Sequence, residues 1–487
     1  MTVTVKVTRT EHHLRPDPSR LVLRPFIPGV ANFGGDPTRL DQIVDRALEV
    51  STEDGLAWLD RLRATYDARF PDIADTWLRH FEIAKQRSSR LGEVSDEPRR
   101  LLIGAILTQT YAYEAAALTN PSMVPMGHVE NGIQPFVMSA RAIGEGHISS
   151  IAFMTGSVDA SGEVTLDPRH VTVSNGERRA PDYSRTAFAA KLDELGLTTH
   201  ISGKILSLVP ETFTADQLQD ALGMALDSDL DKIEVQDSVK RMHWLADSNY
   251  ELRFDPLLPL SEHVISPGAP VESGGIEDAR FVRFTDDDGS ITYYATYTAY
   301  DGIRILPQLI ETRAFENFRM ATMTGPAVHH KGMAIFPRKI DGDFVALSRH
   351  DHERSFVLRS DNLRSWNNAE LVFGPENDWD IVQTGNCGSP IETDEGWLVI
   401  THGVGAMRRY VLGAVLLDLA EPTKVLGRLR KPLIEAEGDE GIGYVPDVVY
   451  SCGSMLHAGN LIIPFGYSDV GIKIAVTSLD DLLSAMD

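Results

Sequence analysis

Hydrophobic residues recur every three to four positions along two long stretches of the chain, as on the buried face of a helix. This spacing predicts helices from about residue 37 to 118 and again from about 185 to 248. Asp36–Pro37 has the composition of an N-cap followed by a first-turn proline. The periodic apolar positions include Leu40, Ile43, Val44 and Leu48 in the first stretch and Leu192, Leu195, Leu218 and Leu222 in the second.

Outside these stretches the chain carries short apolar or aromatic runs that end in polar residues, which is typical of β-strands. The last four of five such runs begin about 50 to 65 residues apart, the period of four-stranded propeller blades. We therefore predict a mainly β fold: a five-bladed β-propeller with an N-terminal helical extension and a helical insertion. A β-sandwich or another all-β fold is the alternative. The five runs are 136–141, 291–297, 344–349, 397–402 and 461–466.

The predicted domains follow from this division of the chain. Residues 1–110 form the helical extension and residues 111–487 the propeller, with the helical insertion at about 185–250. In a propeller the inner strands of all blades converge at one end of the channel, so strand-end polar residues become neighbours. The result is a concave polar pocket suited to a sugar. The residues expected there are Arg141, Asp278, Arg349, His402 and Asp469.

Composition and charge narrow the classes of partner. The 487 residues carry a formal net charge of −24, which disfavours nucleic acid and anionic membranes as partners, because both reward basic surfaces. No apolar run approaches the roughly 20 residues of a membrane span. Cys387 and Cys452 are too few for a disulfide framework. The first residues lack the pattern of a secretory signal, so we expect a cytoplasmic protein.

The segment Gly274–Arg280 contains the strongest candidate for acid catalysis. Asp278 follows a glycine pair that permits close approach of a ligand, and it precedes a strand-like run. The neighbouring Glu277 points to the opposite side in an extended segment, so we expect only one of the two acids to face the pocket. A solvated surface turn is the alternative.

Two further segments carry candidate binding residues. The segment His329–Lys339, followed by Arg349, concentrates basic side chains that bind phosphate well, although a solvated loop is the alternative. The segment Gly385–Thr393 is rich in small residues, which permit close approach of a ligand, and it leads to Trp397 and His402. For both of these side chains, a place in the core is the alternative to a place in the pocket. We expect no metal site, because the histidines of the His-Asp-His-Glu segment that follows Arg349 have no assignable third ligand.

Together these motifs resemble glycoside hydrolase family 130, the inverting β-mannoside phosphorylases and β-mannosidases built on a five-bladed propeller. The resemblance covers roughly residues 110–480 and rests on eight segments in the same order. They are Thr119–Ser122, Arg141–His147, Gly275–Asp278, Lys331–Arg338, Ser389–Thr393, Gly396–Trp397 with His402–Val404, Tyr444–Pro446 and Tyr467–Asp469.

The resemblance implies a function and a role for individual residues. Asp278 is implied as the general acid that protonates the β-mannosidic oxygen. Inorganic phosphate attacks the anomeric carbon from the opposite face and releases α-mannose 1-phosphate from β-manno-oligosaccharides, so no cofactor is implied beyond phosphate as cosubstrate. The N-terminal helices are candidates for the interface of a homo-oligomer. The implied mannosyl-binding residues are Asn120, Ser122, Arg141 and Asp469, and the implied phosphate-binding residues are Lys331, Arg349, His402 and Tyr410.

Three positions depart from the family pattern. Gln383 stands where a phosphate-binding lysine is expected, and Met154 and Asp447 replace an expected basic residue and an expected asparagine. Loss of a basic ligand is typical of a hydrolytic member, in which a carboxylate activates water. Phosphorolysis is the favoured prediction; a phosphate-independent β-1,2-mannosidase is the alternative, followed by a carbohydrate-binding propeller without catalysis. The candidate bases for hydrolysis are Glu145, Glu277 and Glu392.

Overall fold

The computed structural model describes residues 5–28, 38–70, 72–228, 231–328 and 330–486. The predicted cap Asp36–Pro37 and His329 of the basic segment lie outside these residues. Regular structure is mainly β with several helices, which confirms the predicted fold class at that level. The helices are α1 (Arg39–Glu49), α2 (Thr52–Tyr66), α3 (Ile73–Lys85), α4 (Glu97–Ile106), α5 (Arg185–Glu194), α6 (His200–Leu206), α7 (Ala215–Leu226), α8 (Lys232–Asp247) and α9 (Leu479–Ser484).

The strands are numbered in chain order. The first half of the chain contains β1 (Thr8–Leu14), β2 (Leu21–Pro25), β3 (Thr108–Ala112), β4 (Ala117–Pro125), β5 (Gln134–Ile143), β6 (Ser149–Val158), β7 (Val164–Leu166), β8 (Glu177–Arg179), β9 (Tyr183–Ser184), β10 (Thr212–Phe213) and β11 (Tyr250–Arg253). The remainder contains β12 (Val264–Ile265), β13 (Gly275–Thr285), β14 (Ile291–Tyr300), β15 (Ile305–Thr312), β16 (Asn317–Thr322), β17 (Ala334–Ile335), β18 (Phe344–Ser348), β19 (Ser355–Ser360), β20 (Ala369–Phe373), β21 (Gln383–Asn386), β22 (Ile391–Glu392), β23 (Trp397–Val404), β24 (Tyr410–Leu417), β25 (Val425–Arg428), β26 (Val449–Tyr450), β27 (Met455–His457), β28 (Asn460–Tyr467) and β29 (Gly471–Ser478).

The chain divides into two compact units. One unit comprises Met1–Asp17, Glu114–Arg169 and Ser174–Asp487, and the other comprises Pro18–Tyr113 and His170–Val173. The predicted domain boundary at residue 110 stays a prediction. No helix among the described residues is long and apolar enough to cross a membrane.

The smaller unit contains α1 to α4 and the antiparallel pair β2–β3. Helix α1 begins with a capping box, because the Thr38 hydroxyl accepts from the backbone of Asp41 and the Asp41 carboxylate accepts from Thr38. Helices α3 and α4 pack closely at Gly104, where a Cβ atom would lie 1.9 Å from the Trp77 carbonyl oxygen. The helical prediction for residues 37–118 extends too far, because Thr108–Ala112 pairs with β2 instead.

Five antiparallel sheets make up most of the larger unit, together with the short pair β9–β10. The five strand runs predicted from the sequence lie in β5, β14, β18, β23 and β28, each an interior strand of a different sheet. In strand order, sheet 1 is β4–β5–β6–β12 with β7 on β6, sheet 2 is β13–β14–β15–β16–β11–β8, sheet 3 is β17–β18–β19–β20, sheet 4 is β21–β23–β24–β25 with β22 on β23, and sheet 5 is β26–β28–β29–β1 with β27 on β28.

Consecutive sheets share buried apolar cores. Phe153 of sheet 1 packs with Phe281 of sheet 2, their ring centroids 5.9 Å apart. Similar buried clusters join sheets 2 and 3, sheets 3 and 4, and sheets 4 and 5. Sheet 5 also meets sheet 1, where Ser122 forms a parallel bridge with Gly453 and the Cys452 amide donates to the Pro121 carbonyl at 2.7 Å.

Helices α5 to α8 lie within the stretch that the sequence predicts as the second helical region. They enclose their own apolar cluster, which includes Phe188, Leu222 and Met242. Buried Lys191 attaches this insertion to the sheets, because its Nζ donates to the carbonyl oxygen of Met323 at 2.5 Å.

Candidate functional site

Strand β13 carries both acids of the Gly-Ile-Glu-Asp motif, and a β-bulge interrupts it there. Its register with β14 shifts between Glu277 and Arg280, and Asp278 has a φ of 55°. A bulge breaks the alternation of side chains along a strand. Both carboxylates therefore face the guanidinium of Arg141, Glu277 at 2.7 Å and Asp278 at 3.9 Å. The expectation that the two side chains point to opposite sides is wrong for this reason, although Asp278 is the one of the two that lines the cavity described below.

Asn120 repeats the same local geometry on β4. The register of β4 shifts between Thr119 and Ser122, and Asn120 has a φ of 49°. Its Nδ2 donates a hydrogen bond to Oδ1 of Asp278. The buried Ser122 hydroxyl accepts from the Phe281 amide at 3.0 Å and so ties β4 to β13. Two neighbouring bulges thus hold the candidate acid and its hydrogen-bond donor together.

Arg141 and Asp469 complete the polar surroundings of the two acids. The Nε of Arg141 donates to the Ser149 hydroxyl at 3.1 Å, which fixes the guanidinium beside the acids. Asp469 follows β28 with a φ of 53°. Burial raises the pKa of Asp469, and the nearby carboxylates of Asp278 and Glu277 raise it further against the opposing charge of Arg141.

Opposing effects set the pKa of Asp278, which is only 8% exposed. Burial by itself raises this pKa, because it disfavours the charged form. The charges of Lys331, Arg141 and Arg280 outweigh burial, and the hydrogen bond from Asn120 adds to them, so the pKa of Asp278 lies below its ordinary value. The unliganded protein therefore holds Asp278 as a carboxylate at neutral pH.

Lys331 and Arg349 bring positive charge to the same region. The Nζ of Lys331 forms an ion pair with Oε2 of Glu277, so Glu277 bridges Lys331 and Arg141. Arg349 runs along the backbone of β21, where a Cβ atom on Gly385 would lie 2.3 Å from its Cδ. The sequence therefore places a glycine at the position where the arginine side chain must pass.

His402 lies in the interior of β23 beside Arg349. Its Nε2 is 3.5 Å from Nη1 of Arg349 and 3.1 Å from Nε2 of Gln383. Burial and the charges of Arg349 and Arg280 hold the pKa of His402 well below its ordinary value, so the imidazole is neutral. The ring of Tyr410 is nearly parallel to it, with an interplanar angle of 8° and a centroid distance of 6.3 Å.

Tyr450 and Arg280 connect this cluster to Asp278. The Tyr450 ring lies 4.9 Å from that of His402 and 6.4 Å from that of Tyr410. Its hydroxyl accepts a hydrogen bond from Nη2 of Arg280 at 3.0 Å. Arg280 and Asp278 both line a small, partly open cavity. The other residues that line it are Thr296, Tyr297, Thr298, Pro307, His330, Gly332 and Met333.

Comparison with known proteins assigns the family. The family model of glycoside hydrolase family 130, described as beta-1,4-mannooligosaccharide phosphorylase, matches residues 258–487. A 1,2-beta-oligomannan phosphorylase from Thermoanaerobacter sp. (strain X514) is 33% identical over 230 residues, which cover 46% of this chain and 75% of that protein. The chain belongs to glycoside hydrolase family 130. The family predicted from the motifs is thereby confirmed.

Two further comparisons give related enzymes as similar proteins. A beta-1,2-mannobiose phosphorylase from Listeria innocua serovar 6a is 32% identical over 221 residues, which are 44% of this chain and 60% of that protein. The solved structure of the beta-1,2-mannobiose phosphorylase from Listeria innocua with beta-1,2-mannobiose covers 76% of this chain and 92% of that chain. It has 21% sequence identity and a TM-score of 0.44.

The structure of this family 130 member adds three residues to the predicted site. Arg280 lies within the quoted motif, two positions after Asp278, so the motif itself contained the signal. Asn386 lies in the predicted glycine-rich segment, and its Nδ2 donates to the Gly332 carbonyl beside Lys331 at 2.9 Å. Nothing in the sequence indicated Tyr450 as a site residue, because only the folded chain brings it between Arg280 and His402.

Other candidates lie in different surroundings. Glu392 is exposed and forms an ion pair with Arg338 at 2.6 Å, and Glu145 is also exposed. Met154 is buried in β6, and Asp447 is exposed, with its carbonyl accepting from the Tyr410 amide at 3.1 Å. Of the candidate bases, Glu277 is thus the one that contacts Arg141 and Lys331.

Two remaining candidates are resolved by their surroundings. Trp397 is fully buried and its indole N–H donates to the Leu419 carbonyl at 3.0 Å, so it belongs to the core. Across the described ranges, no group of three or more His, Cys, Asp or Glu side chains could hold a metal ion.

Proposed function

We propose that this chain cleaves β-mannosidic linkages in manno-oligosaccharides by inverting phosphorolysis and releases α-mannose 1-phosphate. The observation that carries the proposal is that a candidate acid and a candidate anion site lie close together. Asp278 and Arg280 line one cavity, and Arg280 connects through Tyr450 to His402. The relatives described above, both named phosphorylases, support the same reaction class.

The proposed roles divide the site in two. Asn120, Arg141 and Asp469 would bind the mannosyl unit beside Asp278, and Ser122 would hold the β4 bulge that positions Asn120. The proposed phosphate ligands are Lys331, Arg349, His402 and Tyr410. Inorganic phosphate would be the only cosubstrate, with no resident cofactor.

The charge balance explains how Asp278 acts as an acid despite its low pKa. The charge that opposes burial most strongly comes from Lys331, a proposed phosphate ligand. A bound phosphate anion offsets that charge and raises the pKa of Asp278, which then holds the proton for the leaving oxygen. Phosphate attacks the anomeric carbon from the opposite face, the C–O bond breaks, and the proton of Asp278 goes to the departing sugar.

We further propose that sheets 1 to 5 are the five blades of a propeller. In support, the first strand of sheets 1, 2, 4 and 5 carries a site residue: Asn120, Asp278, Gln383 and Tyr450. Lys331 lies just before the first strand of sheet 3. Consecutive sheets share buried cores, and the fifth sheet hydrogen bonds to the first. These features are those of blades arranged around a channel.

Hydrolysis is the second candidate, and one observation favours it. Gln383 contributes an amide where a lysine was expected, and it contacts His402 at 3.1 Å. A water molecule would then replace phosphate, with a carboxylate as its base. Glu277 is the candidate base nearest to Asp278, but its carboxylate is engaged in ion pairs with Arg141 and Lys331.

The test is product analysis with β-1,2-, β-1,3- and β-1,4-linked mannosides, each with and without phosphate. Phosphorolysis predicts α-mannose 1-phosphate, formed only when phosphate is present. Free mannose at equal rates under both conditions supports the hydrolytic alternative. Binding of a mannoside without turnover would instead support a carbohydrate-binding propeller.

A cytoplasmic location is also a proposal. Its support is that Cys387 and Cys452 are both free and buried, as in proteins of reducing compartments. The pKa of the Cys387 thiol is raised by burial to about 12, so this side chain behaves as an inert core residue.

A further inference from the structure

Arg280 is a buried cation that forms no ion pair within 4 Å with a carboxylate of the described residues, in contrast to buried Arg428. It is 1% exposed, its Nη2 donates to the Tyr450 hydroxyl at 3.0 Å, and its Nη1 has no hydrogen-bond partner among the described residues. Arg428 differs in how its charge is compensated. Its Nε also lacks a hydrogen-bond partner among the described residues, but its guanidinium forms an ion pair with buried Asp380 and donates to the Gly374 carbonyl. A buried guanidinium with an unpaired N–H group requires an anionic or polar partner.

The position of Arg280 indicates which partner that is. It lines the cavity together with Asp278, two residues earlier on β13. Through Tyr450 it lies next to the rings of His402 and Tyr410. The guanidinium therefore stands between the candidate acid and the candidate phosphate ligands.

A second guanidinium, near His402, also has a buried nitrogen without a hydrogen-bond partner among the described residues. Arg349 lies 3.5 Å from His402, and its Nε has no hydrogen-bond partner among the described residues. Unsatisfied N–H groups on rigid forks match the oxygens of a tetrahedral anion.

We propose that Arg280 is itself a ligand of the phosphate, held in place by Tyr450, and that it provides the positive charge that Gln383 lacks. This inference rests on the proposed phosphorolytic function. The ligand class is an inorganic tetrahedral oxyanion, and after reaction the phosphate group of the sugar phosphate. It also explains how the site binds an anion although one expected lysine is a glutamine.

Calorimetric titration of the full-length protein with inorganic phosphate tests this inference directly. We expect Arg280→Gln to weaken phosphate binding by about tenfold or more, because charge-assisted hydrogen bonds are lost. Arg280→Lys should give an intermediate affinity, since it keeps the charge but loses the fork. Tyr450→Phe should weaken binding by about two- to fivefold through loss of one hydrogen bond that orients Arg280.

Arg283→Gln is the matched control, because Arg283 lies on the same strand, half-buried and away from the site. Its phosphate affinity should equal that of the wild type. Kinetics provide a second readout: the KM for phosphate should rise in the Arg280 variants, while the KM for the mannoside changes little. Thermal melts show which variants are folded.

The outcomes separate this inference from the proposed function. A folded Arg280→Gln protein that binds phosphate within twofold of the wild type overturns the inference. If that variant does not fold, wild-type affinity in both Arg280→Lys and Tyr450→Phe overturns it. A wild-type protein that binds phosphate but releases no mannose 1-phosphate contradicts the proposed function alone, since the binding comparison still decides the role of Arg280. A wild-type protein that binds no phosphate overturns both.

Discussion

At the scale of single residues, the site is governed by the charges around Asp278. Glu277 forms ion pairs with Arg141 and Lys331, while Asn120 donates a hydrogen bond to Asp278. The charges of Lys331 and Arg141 and the hydrogen bond from Asn120 lower the pKa of Asp278 and keep it ionised until a ligand changes the balance. A bound anion is the ligand that changes it in the required direction, because it compensates the positive charge.

The first prediction concerns Asp278 as the proton donor. Asp278→Asn keeps the shape of the side chain but removes the acidic proton, so kcat should fall by about 10²- to 10⁴-fold. The melting temperature and the circular dichroism spectrum should remain close to those of the wild type. Full activity in the folded variant would rule out Asp278 as the general acid.

The second prediction concerns the pH dependence that Lys331 imposes. Lys331 lowers the pKa of Asp278, so Lys331→Met should raise that pKa relative to the wild type. An acid that must be protonated loses activity as pH rises through its pKa. The falling limb of log kcat/KM for the mannoside, at saturating phosphate, should therefore move to higher pH in the variant. A limb that stays in place or moves to lower pH would show that Lys331 does not control Asp278.

At this scale the sequence indicates candidate residues where they lie close together along the chain. The Gly-Ile-Glu-Asp-Ala-Arg motif contains Asp278 and Arg280 within three consecutive positions, so composition alone marks it. The orientation of Glu277 could not be predicted, because it depends on a bulge whose register is set by β14. Tyr450 could not be predicted either, since its contact with Arg280 joins residues that are 170 positions apart.

At the scale of elements, close backbone approach determines where side chains can run. Strand β21 passes directly beneath Arg349, and only a glycine at position 385 leaves room for it. A Cβ atom there would lie 2.3 Å from Cδ of Arg349 and 2.9 Å from Cε1 of His402. The glycine therefore belongs to the proposed phosphate site although it has no functional group.

The third prediction follows from this contact. Gly385→Ala should displace Arg349 and His402 and raise the KM for phosphate by about tenfold, the loss of one charge-assisted contact. The KM for the mannoside should change little, because Asn120, Asp278 and Arg141 are not displaced. Initial rates at varied phosphate and varied mannoside measure both constants.

Gly223→Ala serves as the control, since the added methyl group would meet nothing within 4 Å in helix α7. Its kinetics should match the wild type. Equal increases in both KM values for Gly385→Ala would contradict a local effect on the phosphate site.

The strands themselves were predictable to a useful degree. Residues 136–141 and 397–402 form the centres of β5 and β23, because buried strands read as apolar runs without help from distant residues. The pairing of β11 with β8 and β16 was not predictable. These strands come from either side of the helical insertion, so only the folded chain brings them together.

At the scale of the whole chain, the larger unit joins the first strand to the last. Strand β1 pairs with β29, so sheet 5 contains the first and the last strand of the described residues. Arg9 reinforces this pairing through Glu440, whose side chain is 1% exposed, at 2.9 Å. The predicted helical extension over residues 1–110 did not anticipate β1, because its partner lies more than 450 positions away.

The fourth prediction tests that junction. Arg9→Gln leaves buried Glu440 with Lys473 as its remaining cation, so the free energy of unfolding should fall by about 1–3 kcal/mol. Glu11→Gln on the same strand is the control, because Glu11 is exposed and should have little effect. Denaturant unfolding of both variants gives the comparison, and equal stability of the two would contradict a structural role for the Arg9–Glu440 pair.

The absence of a nucleic-acid partner and the formation of a homo-oligomer stay predictions of the sequence. The net charge of −24 is the basis for predicting no nucleic-acid partner. Light scattering tests the oligomeric state, and a nucleic-acid binding assay tests the absence of that partner.

The central claim is that phosphate is the nucleophile in a site that also holds Asp278. The most direct measurement is turnover of β-1,2-mannobiose in ¹⁸O-labelled water with inorganic phosphate, followed by ³¹P NMR and mass spectrometry. Phosphorolysis gives one α-mannose 1-phosphate for each mannose released, with no ¹⁸O at the anomeric carbon of the transferred mannosyl unit. Free mannose that carries ¹⁸O at that carbon, with no phosphate consumed, would contradict it.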